Sequence, residues 1–354
     1  MDKHRPLIAL TMGDPAGIGP EIIVKALARP EVLAACRAVV VGDLGVIAKA
    51  ANDTGTVDCA GMVAPVASAD DLGRTAARVP VLDLKNVDLN TFFYGKVLPE
   101  YGRAAGESIE RAVKLALAGK VDAVVTPPLQ KESFKAAGYV YPGHTEMLAA
   151  LTGAKHVSLM LMIGNFRVVH ATLHMPLRQA VDALTPDLVH RTIRTAAQGC
   201  RELGIDKPRI AVAGLNPHAG EGGLFGQEET RVIRPAAERA AAEGVREGFT
   251  VDGPISSDSV FAMLKGGRYD IVVCMYHDQG GIPMKLLAFN WDADRGRWGS
   301  IRGVNVTLGL PIIRTSVAHG TGYEIAGKGI ASEDSLVDAI LVACELARVR
   351  KSAR

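Results

Sequence analysis

The chain has 354 residues, 48% of them apolar and 22% charged, which supplies a large packed interior and excludes global disorder. Lys and Arg number 40 against 38 Asp and Glu, so the net charge of +2 gives no reason to expect nucleic acid or a membrane surface as a partner. Five cysteines without a C-x-x-C pair (Cys36, Cys59, Cys200, Cys274, Cys344) predict buried free thiols rather than a disulfide framework or zinc ribbon, and no run of eighteen apolar residues occurs. Together with a start that lacks an apolar leader, these features predict a cytoplasmic protein.

Short apolar runs bounded by Gly, Pro and Asp predict buried strands at 7–11, 38–43, 79–84 and 122–128, with an amphipathic helix at 102–119. The pattern resumes with strands at 157–163, 209–215, 270–276 and 303–309 and helices at 187–204, 227–244 and 333–348. Strands alternating with helices predict an α/β fold with mostly parallel pairing. Gly and Pro punctuation near 126–143 marks a crossing between two lobes, which divides the chain into residues 1–136 plus 326–354 and residues 137–325.

Polar loops follow several strands. MGDPAGIGPE, residues 12–21, has glycines at 13, 17 and 19, which is not the G-x-G-x-x-G dinucleotide fingerprint; a structural turn and a binding loop remain equal readings. GHTE at 143–146 puts His144 and Thr145 at a helix start, where free N–H groups suit an anion and where Thr145 could equally be an ordinary cap. TLHMPLR, LNPHAGEGG and MYHDQG place His174, His218 and His277 in three separate loops, His277 with Asp278 beside it at the end of a buried strand. Three neutral imidazoles would suit a catalytic divalent cation, provided the fold brings them together. Lys285, Asn305 and Arg314 are the groups that fix a carboxylate or phosphate ester. Asp258 could cap a helix or hold a substrate group or an imidazole.

In order along essentially the whole chain, MGDPAGIGPE, GHTE, T-x-H-x-P-L-R, NPHAGEGG, GP-x-x-x-D, MYHDQG and GVN-x-T-x-GLP-x-IRTS resemble the 4-hydroxythreonine-4-phosphate dehydrogenase family. The resemblance implies a two-domain fold like that of isocitrate and isopropylmalate dehydrogenases, with the active site in the interdomain cleft of a homodimer. It implies a metal triad of His174, His218 and His277 drawn from both subunits, and substrate contacts at His144, Thr145, Lys285, Asn305 and Arg314. Lys285, Asp258 and Asp278 become the catalytic groups, the two aspartates in the polar surroundings of the metal. The implied cofactors are NAD or NADP and a divalent cation, zinc first, with magnesium, manganese or cobalt as alternatives; the residues contacting the nicotinamide cofactor stay unassigned. The implied reaction is oxidation, then decarboxylation, of a 4-phosphorylated β-hydroxy acid such as 4-phosphooxy-L-threonine, 4-phospho-threonate or 4-phospho-erythronate.

Two departures bear on the substrate. Residues 286–302, which hold Trp291 and Trp298, are longer than the biosynthetic branch leads one to expect, and Ala318 stands where many relatives carry Asp. YPGHTEMLA and YHDQGGIPMKLLAF look more like the catabolic branch. Oxidation of a terephthalate cis-dihydrodiol, a non-catalytic phospho-metabolite sensor and metal-assisted hydrolysis are the competing readings.

Overall fold

The apolar runs become strands whose side chains are covered on both sides: all five residues of Leu7–Thr11 are buried, as are all four of Ala123–Thr126 and of Ile271–Cys274. The structure is a computed structural model that describes residues 5–55, 63–67, 71, 77–294 and 296–352; Cys59 lies outside the described residues. In chain order the strands are β1 (Leu7–Thr11), β2 (Arg37–Gly42), β3 (Val63–Pro65), β4 (Val79–Asp83), β5 (Ala123–Thr126), β6 (Ser158–Ile163), β7 (Phe166–His170), β8 (Arg209–Ala213), β9 (Thr250–Ile255), β10 (Ile271–Cys274), β11 (Phe289–Asp292), β12 (Arg297–Ile301), β13 (Val304–Leu308) and β14 (Arg314–Val317). Cys36, Cys200, Cys274 and Cys344 are buried and free.

Two compact units share the chain: Met1–Val157 with Ala293–Arg354, and Ser158–Asp292. The division therefore falls at 157/158 and 292/293, not at 136/137 and 325/326. The reason is pairing and packing: β14 lies parallel to β5 and antiparallel to β13, and Met147 and Leu148 of helix His144–Thr152 join the core of Ile109 and Val113.

In the first unit the strand order is β3-β4-β2-β1-β5-β14-β13, parallel except for the last pair. Leu7 and Ala9 of β1 meet the apolar face of helix Pro99–Leu117, while Ile8 and Leu10, equally buried, point to the opposite face, as the period of a strand requires. Helix Asp334–Ser352 packs on β5, β13 and β14. In the second unit the order is β6-β7-β10-β8-β9, with β6 and β7 an antiparallel hairpin and the remaining neighbours parallel. That hairpin turns on Gly164 and Asn165, Gly164 taking the positive φ of 52° that a two-residue turn demands. Strands β3, β7, β9, β11, β12 and β14 are absent from the sequence expectations, as are the antiparallel pairs β6–β7 and β13–β14. Residues 227–244, expected as one helix, start with a π turn at Glu229–Ile233 before helix Arg234–Glu247. Among the described residues no helix is long and apolar enough to cross a membrane.

Candidate functional site

In the second unit β7, β10 and β8 are parallel neighbours, so their C-terminal ends, the side of such sheets that carries ligands, lie along one edge. The loop after β7 carries His174, the residue after Tyr276 following β10 is His277, and the loop after β8 carries His218. The rings of His174 and His277 are 5.6 Å apart, and a third ring, His170 at the end of β7, lies 6.0 Å from His277. His277 Nδ1 is 2.6 Å from Asp278 Oδ1. A neutral imidazole that donates its Nδ1–H to this carboxylate presents the Nε2 lone pair outward, the orientation a metal-ligating histidine takes.

His170 is a residue that sequence reasoning missed. It is 3% exposed, and among the described residues neither ring nitrogen has a hydrogen-bond partner. Burial, and then the neighbouring His277 and His174, push its pKa down to about 4, so it is a neutral imidazole. A Cβ at Gly280 would come within 2.6 Å of His170 Nε2, which explains a glycine in the second turn of helix His277–Ala288.

His218 occupies unusual backbone. His218, Ala219, Gly220, Glu221 and Gly222 all have positive φ, between 43° and 81°, in the turn Pro217–Gly223. Three of the five carry side chains, for which this region is strained. The turn is anchored by Glu229, itself buried, whose Oε1 accepts the N–H groups of Leu215 at 2.7 Å and Asn216 at 2.6 Å. Among the described residues no group of three or more His, Cys, Asp or Glu side chains is arranged to hold a metal ion. One chain thus brings His174 and His277 together, with His218 on the loop at the other side of β10. This donor set fits only the part of a cation site that a single chain could supply.

Asp258 is not the cap of its helix. Ser256 holds the N-cap position of helix Ser257–Lys265 without a side-chain capping bond, and Asp258, exposed in the first turn, accepts a hydrogen bond from Ser256 Oγ at 2.8 Å. Lys285 stands in the last turn of helix His277–Ala288, its Nζ 5.8 Å from the Phe289 ring centroid. At 1.5 Å per residue it is about 12 Å along the helix from His277, so one chain does not bring the two together. Its neighbours Ile282 and Leu286 are 66% and 81% exposed.

In the first unit the central group is Arg314, 3% exposed at the start of β14. Its Nη1 donates to Thr307 Oγ1 on β13 at 2.9 Å and its Nη2 to Thr126 Oγ1 at the end of β5 at 2.6 Å, while Nε has no partner. Among the described residues no carboxylate forms an ion pair with it. Burial therefore pulls its pKa down to about 10, with Glu146 opposing. His144 opens helix His144–Thr152 behind Gly143, its Nε2 buried and unpartnered among the described residues. Burial, then the charge of Arg314, hold it well below its ordinary pKa, so it too is neutral. Gly143, in extended backbone at φ 179°, occupies the N-cap, so Thr145 is not the capping residue and the first N–H groups of the helix lack a side-chain cap. A buried cation without an ion-pair partner among the described residues, beside an uncapped helix start, is an arrangement that an anionic ligand completes. Asn305, on β13, donates its Nδ2 to Val317 O at 3.0 Å, which leaves its side-chain carbonyl to accept.

The loop after β1 is pinned from several sides. Asp14, fully buried, accepts Ala16 N–H at 2.8 Å and the Tyr323 hydroxyl at 2.9 Å, and Ile18 N–H donates to Thr321 O. Gly13 has φ 73° and its missing Cβ would meet Pro128 O at 2.7 Å, so the glycine is a requirement of packing. Ala318 N–H donates to Ser335 Oγ at 3.1 Å. Residues 286–302 contain the end of helix His277–Ala288 and strands β11 and β12.

A family profile described as pyridoxal phosphate biosynthetic protein PdxA matches residues 34–343. The chain is 45% identical over 352 residues to the D-threonate 4-phosphate dehydrogenase of Cupriavidus necator, covering 99% of this chain and 100% of that protein. It is 44% identical over 355 residues to the 4-hydroxythreonine-4-phosphate dehydrogenase of Geobacter metallireducens, covering 99% and 98%. The crystal structure of 4-hydroxythreonine-4-phosphate dehydrogenase from Klebsiella pneumoniae, 40% identical, superposes with a TM-score of 0.82 over 97% of this chain and 99% of that one.

Proposed function

The chain belongs to the PdxA family, whose compared members are dehydrogenases acting on CH–OH groups, and on that premise we propose that it oxidises a 4-phosphorylated hydroxy acid of the 4-phosphooxy-L-threonine or 4-phospho-threonate type. Oxidation of the alcohol removes a hydride and the hydroxyl proton and gives a β-keto acid; a nicotinamide cofactor, NAD or NADP, would supply the hydride acceptor. Loss of carbon dioxide leaves an enolate that takes a proton at carbon.

The observation that carries this reading is the buried Arg314 guanidinium, which has no carboxylate partner among the described residues and lies in the electrostatic reach of a neutral His144. Its unused N–H donors suit the oxygens of a phosphate ester bidentately, and an anion there restores the charge balance that burial upsets. Thr145 N–H adds a helix-start donor, and the Asn305 carbonyl accepts from a substrate hydroxyl. In the second unit Asp278 holds the Nδ1 proton of His277 and fixes the direction of its Nε2. Lys285 is the proposed proton donor and anion contact, with Asp258 in the polar surroundings.

A divalent cation, zinc in the first instance, would polarise the substrate hydroxyl and stabilise the enolate. His174, His218 and His277 are its proposed ligands, completed between two copies of the chain. Support for a second copy comes from the exposed apolar side chains Met175, Leu177, Leu224, Phe225, Ile282 and Leu286, which lie on or directly beside the loops and helix that carry the three histidines and Lys285.

The test is reduction of nicotinamide cofactor by purified protein with 4-phosphooxy-L-threonine, 4-phospho-D-threonate, 4-phospho-erythronate and the terephthalate dihydrodiol, each with divalent metal and with a chelator. Turnover on a phosphorylated acid that the chelator and His277→Ala both abolish is the expected result. Thermal stabilisation by the phosphorylated compounds without turnover on any of them would make the protein a sensor instead.

A further inference from the structure

We propose that Gln279 is a positioning residue for the oxidation, its one buried amide tying the loop that carries His277 to the loop that leads to His218. The inference rests on the proposed function, in which both histidines act.

Gln279 is 7% exposed, in the first turn of helix His277–Ala288. Its Oε1 accepts the N–H of Met275, two residues before His277, at 2.6 Å. Its Nε2 donates to Gly214 O at 2.6 Å and to Ser257 Oγ at 2.8 Å. Ser257 Oγ in turn donates to Gly214 O at 2.7 Å. Gly214 directly follows β8, four residues before His218, and Ser257 is the neighbour of Asp258. Three chain segments that emerge after β8, β9 and β10 thus converge on one side chain. Only one orientation of the amide serves them, because an N–H must meet its oxygen and oxygens must meet its nitrogen.

The far side of the same segment is held as firmly. Glu229 accepts from the next two residues, Leu215 and Asn216, so 214–216 is fixed from both sides immediately before the left-handed turn starts at His218. A fully satisfied buried network of this kind gives one rigid arrangement where separate loops would have several. Neither histidine needs to touch Gln279 for its position to depend on it, and an exposed loop end would have been satisfied by water without such a link.

The experiment uses full-length Gln279→Met, similar in length and without the hydrogen bonds, in steady-state turnover and in proton–nitrogen spectra of protein carrying labelled histidines. The expected result is a kcat about 100-fold lower with KM within about threefold, since small misplacements cost this much while the anion pocket at Arg314 is untouched. The imidazole signals of His218 and His277 shift and that of His190, which is bonded to Glu243, does not. A folded variant with kcat within about threefold of the parent, or with a loss that merely follows its folded fraction, overturns the proposal. If Gln279→Met does not fold, Ser257→Ala removes two of the linked bonds, the one accepted from Gln279 and the one donated to Gly214; a kcat about tenfold lower supports the link and an unchanged kcat refutes it. Failure of the parent protein to turn over any phosphorylated acid would instead sink the functional reading, and the imidazole spectra would still decide whether Gln279 sets the two rings.

Discussion

Glu229 grips Asn216 at both ends of one residue: Oε1 accepts its backbone N–H at 2.6 Å and Oε2 its side-chain amide at 2.9 Å. Burial pushes this carboxyl upward, but the bonds from Asn216 and Leu215 outweigh it and hold the pKa below the usual carboxylate range. The anion is therefore stable where it sits. What it secures is a stretch in which His218, Ala219 and Glu221 each bear about 1–2 kcal/mol of left-handed strain. Hydrogen bonds to a charged acceptor, at about 1.5–3 kcal/mol each, are of the size needed to offset that strain.

Glu229→Ala should therefore lower stability by about 3 kcal/mol, more than an ordinary surface change, because it leaves the half-buried donors on Leu215 and Asn216 without their charged acceptor. Glu229→Gln keeps one acceptor and presents its amide to Asn216 Nδ2, so its loss should be about half as large. Urea unfolding of both variants measures this, and equal stability of the two with the parent protein would show that the turn holds itself.

Arg314→Met should separate binding from stability. Removing the guanidinium deletes a buried charge that has no carboxylate ion-pair partner among the described residues and that Glu146 offsets only in part, so the melting temperature should hold or rise. Binding should suffer in the opposite direction, with KM for a phosphorylated acid up by about 10- to 100-fold through loss of charge-assisted hydrogen bonds worth about 1.5–3 kcal/mol. Inorganic phosphate should stabilise the parent protein against heat and leave Arg314→Met unmoved. A phosphate shift of equal size in both would place the anion elsewhere.

The strands around the site were largely legible because a strand buried on both faces is a continuous apolar run, as AVVT of β5 and IVVC of β10 are. The hairpin of β6 and β7 carried a local signal too, the Gly164-Asn165 pair between two apolar runs, which the helix-alternating pattern around it masked. β14 had no such signal. Arg314, Thr315 and Ser316 are all buried, yet a buried Arg-Thr-Ser run is tolerable only because Thr126, 188 residues away, and Thr307 accept from the arginine. The loops bearing His174, His218 and His277 could be picked out by their Pro and Gly neighbours. The groups that hold those loops, Gln279 and Glu229, could not, since a glutamine in one helix and a glutamate in another read as solvent-facing until the strands that they bridge are placed.

Asp278→Asn should leave the protein folded and slow it. The variant side chain can still lie beside His277, but a neutral amide holds the Nδ1 proton less strongly than the carboxylate does at 2.6 Å, and an amide turned the other way favours the wrong tautomer. Loss of such an orienting partner costs about 10- to 100-fold in metal affinity or activity. Kinetics as a function of divalent-metal concentration read both quantities, and a variant with the parent's kcat and metal requirement would remove Asp278 from the site.

Asp14 makes stability depend on pH in a direction opposite to that of most carboxylates. Burial raises its pKa from 3.8 to about 6, despite the bonds it accepts from Ala16 and Tyr323. Between these values the folded protein keeps the proton and the unfolded chain has released it, so this group's contribution falls as pH rises from about 4 to about 6. Above that window the cost levels off at about 3 kcal/mol, the shift of roughly two pKa units multiplied by 1.36 kcal/mol. Asp14→Asn keeps an acceptor for Ala16 N–H and carries no charge to desolvate. Its stability relative to the parent protein should therefore increase steadily between pH 4.5 and 6.5 and then stay constant. Carboxylates held low by hydrogen bonds and ion pairs, such as Asp270 with Arg209, titrate below this range and cancel in the comparison. Urea unfolding of both proteins at half-unit pH steps gives the difference curve directly, and a flat one would mean that Asp14 is ionised at no cost in the folded protein.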